Sequence, residues 1–81
     1  MGRYKSILKA ESDARRLPYT VDIPIPGHGL GKRMDEMTDW LLTHAKCEWA
    51  EHGRLVDHQH VARYYFESPW DARAFEKRFV D

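Results

Sequence analysis

Five histidines and a single cysteine are the residues of this chain whose types suit metal or nucleophilic chemistry. A metal site needs several ligands converging on one ion. His52, His58 and His60 are the candidate set, with Asp57 as an oxygen ligand, because a hairpin joining two strands would gather them at one end. No C-x-x-C or H-x-x-x-H spacing accompanies them, and such spacing is what places two ligands on one face. Surface histidines are therefore the preferred reading, and neither metal nor cofactor is expected. Cys47 would need a base and an exposed position to act as a nucleophile. His44 stands three residues earlier but across a helix-to-strand junction, so a buried structural cysteine is expected. The acids are spread along solvent faces without pairing, and a domain this small seldom forms a deep pocket, so catalysis is not expected.

Two further constellations concern binding. Gly27, Gly29 and Gly31 with Lys32 and Arg33 lie between a strand and a helix start, where backbone amides and two cations can hold a phosphate or other anion. The spacing is not that of a P-loop, and no Ser or Thr follows Lys32 to hold magnesium. A plain connection is the preferred reading. Arg3, Lys5, Lys9, Arg15 and Arg16 make the first seventeen residues the most asymmetrically charged stretch, which suits a nucleic-acid backbone. The whole chain, however, balances thirteen basic against thirteen acidic residues, so a bulk attraction to nucleic acid or acidic lipid is excluded. Trp40, Trp70, Arg63 and Tyr65 are the side chains of partner-binding type.

The elements that must position these residues follow from periodicity. Tyr19, Val21, Ile23 and Ile25 alternate with Thr20, Asp22 and Pro24, the two-residue period of a half-buried strand. Proline cannot donate to a ladder, so Pro18, Pro24 and Pro26 assign that strand to a sheet edge. Leu30, Met34, Met37, Leu41 and Ala45 form a helical stripe, predicting a helix from Lys32 to Ala45. A second strand is expected over Lys46 to His52 and a third over His60 to Glu67, with Ala62, Tyr64 and Phe66 inward. Ser68-Pro69-Trp70-Asp71 is a helix start, and Ala72, Phe75 and Phe79 form the stripe of the helix that follows. The segment before Pro18 suits either a helix or an extended arm.

With 81 residues the chain is one small domain, divided into a basic segment over residues 1–17 and an α+β body over residues 18–81. The order strand, helix, strand, strand, helix packs most economically as a three-stranded antiparallel sheet with the third strand central and both helices on one face. This order resembles a ferredoxin-like fold lacking its last strand. The stretch YYFESPWDARAF, Tyr64 to Phe75, is similar to the third-strand and second-helix region of RNA-recognition motifs. That resemblance implies the topology only, because Val61 and Arg63 occupy the positions where such domains carry base-stacking aromatics. The expected function is a small soluble binding or adaptor domain that acts by protein contact through its sheet face or open edge, with self-association included. Nucleic-acid or phosphate binding is the alternative. One cysteine and no run of apolar residues near membrane-spanning length point to a cytoplasmic setting without membrane insertion.

Overall fold

The computed structural model describes residues 7–80, and side chains from residue 12 onward. Three helices and three strands follow one another as α1 (Ile7–Arg16), β1 (Tyr19–Pro24), α2 (Lys32–His44), β2 (Trp49–Val56), β3 (Gln59–Phe66) and α3 (Pro69–Phe79). The sheet is antiparallel in the order β1-β3-β2, so β3 is central and β1 is an edge, as its prolines require. Tyr19 stands opposite Phe66 and Ile23 opposite Ala62, while Trp49 faces Phe66 from the other side. Val21, Ile23, Ala62, Tyr64 and Phe66 therefore share one sheet face, and with Met37, Leu41, Ala72, Phe75 and Phe79 of the helices they form the main core. Phe75 sits at its centre, within ring-contact distance of Trp40, Tyr64, Phe66 and Phe79.

Residues 7–16 of the amino-terminal segment form α1, and Leu17 after it belongs to the folded body. Leu17 packs on Ala50 and Tyr65, which lie on the sheet face opposite α2 and α3. The basic segment and the α+β body thus share a second, smaller core, because Tyr65 and Ala50 would otherwise present apolar surface to water.

Helix α3 starts as its sequence requires. Ser68 accepts a hydrogen bond from the Trp70 amide at 3.1 Å, and Pro69 occupies the first turn. Asp71, three residues after Ser68, is engaged away from the helix start. Its carboxylate accepts from the amides of Lys46 and Cys47 at 3.0 and 2.9 Å, pinning the connection between α2 and β2. These bonds hold residues 46 and 47 out of the ladder, so β2 begins at Trp49, later than the expected Lys46. Cys47 is exposed there, against the expectation of a buried thiol.

The β2–β3 hairpin closes with Val56 opposite Gln59, leaving Asp57 and His58 as a two-residue turn. Both have positive φ, 50° and 66°, the type I′ geometry that matches strand twist and usually takes Asn-Gly.

Candidate functional site

The edge of β1 is built by a parity that the hydrogen bonds settle. In an antiparallel ladder, residues alternate between pointing both main-chain groups at one neighbour and pointing them away. The Ile25 amide donates to the His60 carbonyl at 2.9 Å, in the same register that pairs Tyr19 with Phe66. Odd-numbered residues of β1 therefore bond to β3, and the main-chain groups of Thr20, Asp22 and Pro24 face outward. Pro24 falls where it costs no bond to β3, and Pro18 shares its parity. The N–H groups of Thr20 and Asp22 are the donors left along this edge, and no other described strand pairs with them.

Behind the edge lies a charged pair. Arg63 of β3, directly opposite Asp22, donates Nε and a terminal nitrogen to its two carboxylate oxygens at 2.7 and 2.9 Å. This bidentate bond holds the Asp22 carboxyl below its ordinary range, with Arg54 adding a smaller contribution, and raises Arg63 in turn. The same face continues to His52, opposite Arg63 on β2. There α1 covers the sheet: Asp13 accepts from His52 Nε2 at 2.9 Å and from Arg16 at 2.7 Å. Arg16 also reaches Glu48 at 2.6 Å, and Glu48 foremost and then Asp13 raise its affinity for its proton.

The sequence-derived candidates are scattered over this frame. Tyr65 is 2% exposed, covered by Leu17, so it offers no surface while α1 is seated. Its hydroxyl is buried without a hydrogen-bond partner of ordinary geometry among the described residues, and it lies close enough to help Arg63 keep its proton. Arg63 is engaged by Asp22. Trp40 is half-buried, edge-on to Phe75 and Phe79 and stacked on His44, and so lines the core rim. Trp70 is 76% exposed and is the one of the four that stands clear of the fold.

In the glycine-rich connection part of the expected anion cradle is engaged internally. The amides of Gly29, Arg33 and Met34 donate to the carbonyls of Pro26, Leu30 and Gly31, closing turns rather than facing outward. Gly31 adopts φ 58° and ψ −133°, a conformation closed to most L residues, and this sets the direction in which α2 departs. Lys32 and Gly27 are exposed, whereas the Arg33 guanidinium donates to the Phe79 carbonyl and caps the carboxyl end of α3.

The hairpin does not gather its histidines. His52 is buried beneath α1, His60 shares the opposite sheet face with Leu55, and His58 sits in the turn. No group of three His, Cys, Asp or Glu side chains among the described residues is placed to hold a metal. Of the basic segment, Arg15 is exposed and Arg16 is bound to Asp13 and Glu48. Arg3 and Lys5 lie outside the described residues, as does the side chain of Lys9.

The open edge was expected from the sequence, but its donors Thr20 and Asp22 and the Asp13–His52 contact were not among the candidate residues. The even spacing of Pro18 and Pro24 puts both on one side of β1 without saying which side, and the contact had no local signal. No described helix is long and apolar enough to cross a membrane. No family model, curated protein or solved structure matches the chain.

Proposed function

We propose that this protein is a small binding module of the cytoplasm, without catalysis of its own, that recognises a partner chain by main-chain pairing along β1. One observation carries the reading: Thr20 and Asp22 present main-chain groups at a sheet edge where no described strand takes them. Main-chain pairing at such an edge supplies affinity, and the flanking side chains supply specificity. Tyr19, 43% exposed beside these donors, is the side chain for that role. A ferredoxin-like reading of the order β1-β3-β2 would put one further strand beside β1, and no described strand lies there. The internal engagement of Arg16 and Arg33 weighs against nucleic-acid or phosphate binding.

The test is a photoreactive phenylalanine analogue in place of Tyr19, with a control on the exposed α2 position Glu36. Adducts in the source cell are expected from the first position and not the second, and they should vanish when Thr20→Pro removes an outward donor without touching the β3 ladder. Equal labelling from both positions, adducts that survive Thr20→Pro, or none at all would overturn the reading.

A further inference from the structure

We infer that the chain pairing with β1 is a second copy of this protein, joined antiparallel about a two-fold axis through Val21. This rests on the edge reading above and adds the partner and its register.

An antiparallel pair related by a two-fold axis normal to the sheet keeps each face on the same side, so outward residues must pair with outward residues. The outward set is Pro18, Thr20, Asp22 and Pro24. With the axis at Val21, Thr20 stands opposite the Asp22 of the second copy and Asp22 opposite its Thr20. Each pair exchanges both main-chain bonds, so every outward donor is satisfied. Pro18 then falls opposite Pro24, so both ends of the paired stretch close on residues with no N–H to strand.

The neighbouring registers are worse for specific reasons. An axis at Asp22 sets two carboxylates directly opposite each other, a destabilising arrangement. An axis at Thr20 shortens the paired stretch to Tyr19 through Val21 and leaves each Asp22 carbonyl facing Pro18. In the Val21 register a threonine hydroxyl meets each carboxylate, and Arg63 already neutralises that carboxylate from behind. On the other face, Tyr19 lies opposite Ile23 of the second copy, covering a ring that is 43% exposed in the single chain.

The same prolines that blunt the edge against open-ended pairing thus select one short register. The assembly closes, since a two-fold contact uses both β1 edges at once. Helix α3 packs over β1 and β3. At a strand spacing of about 4.8 Å the two copies of α3 then lie side by side at about 10 Å, an ordinary helix-packing distance.

Sedimentation equilibrium over a wide concentration range is the first test, with an apparent mass expected to rise toward twice the 9.6 kDa of the chain and to stay at 9.6 kDa in the Thr20→Pro variant. A single-chain mass at every concentration overturns the second copy. If the adducts from position 19 then persist, the edge reading survives with a foreign partner, and if those are absent too, both fall. Register is read in a Cys47→Ser background by mixing Thr20→Cys with Asp22→Cys chains under mild oxidation. Opposed strand residues lie within disulfide reach, so the mixed disulfide is expected to dominate. Dominant self-linkage of either variant alone would place the axis at Thr20 or Asp22 and overturn the register.

Discussion

Asp13 and His52, 39 residues apart in the chain, meet at 2.9 Å beneath α1. Asp13 is 0% exposed and His52 4%, so this contact between helix and sheet is sealed from water. Arg16 bonds the second carboxylate oxygen of Asp13 and reaches Glu48 beyond it, extending the link to the solvent rim. A buried carboxylate persists only when it is paired and hydrogen-bonded.

Removing one partner of such a pair is expected to cost more than the pair itself contributes, because the other is left buried without compensation. Asp13→Ala should lower stability by about 3 kcal/mol. His52→Ala should cost a comparable amount, and the double variant less than the sum. Urea denaturation of all four chains measures the coupling. Strict additivity would mean that the two side chains do not depend on each other.

Asp22 and Arg63 carry a pH dependence whose sign is set by the lowered Asp22 carboxyl. A carboxylate held below its unfolded value stabilises the fold above the ordinary carboxylate range near pH 4 and loses that contribution as pH falls through its folded value. Asp22→Asn should therefore flatten the acid side of the stability curve, with a uniform loss at neutral and alkaline pH and none at the acid extreme. The pair is partly open to water, with side chains 36% and 24% exposed. Its effect should accordingly stay below about 1 kcal/mol. Thermal melts between pH 2 and 7 check it, and an unchanged acid limb would count against the bidentate bond.

Phe75 is fully buried among four other aromatic rings. Phe75→Ala leaves a cavity that these rigid neighbours cannot fill, and should cost about 3 to 5 kcal/mol by denaturant titration. A near-neutral result would mean that α3 does not pack on the sheet through this face.

The Asp57-His58 turn holds two side-chain-bearing residues at positive φ. Replacing them as Asp57→Asn with His58→Gly supplies residues that adopt type I′ geometry with less strain, and should stabilise the domain by about 1 kcal/mol. A drop in the unfolding midpoint instead would argue for interactions of the native pair that outweigh the backbone strain.

Much of the frame was legible because its signals are local. The alternation from Tyr19 to Ile25, the stripe of Met37 and Leu41, and the Ser68-Pro69 start each reflect the geometry of neighbouring residues, and each element stands where that geometry put it. The failures share a long-range cause. Cys47 was expected inside β2, yet Asp71, 24 residues away, draws its amide out of the ladder. Arg33 suited an anion, yet it caps a helix that begins 36 residues later. Tyr65 suited an outer surface, yet α1 lies across it.

By itself the sequence determined that β1 is an edge and placed its prolines on alternate positions, since strand period and the missing N–H are properties of single residues and their neighbours. Only the tertiary structure decided which side those prolines face. That choice depends on the hydrogen-bond phase with β3, seen at Ile25 and His60, and no local pattern encodes the phase of a ladder between residues so far apart in the chain.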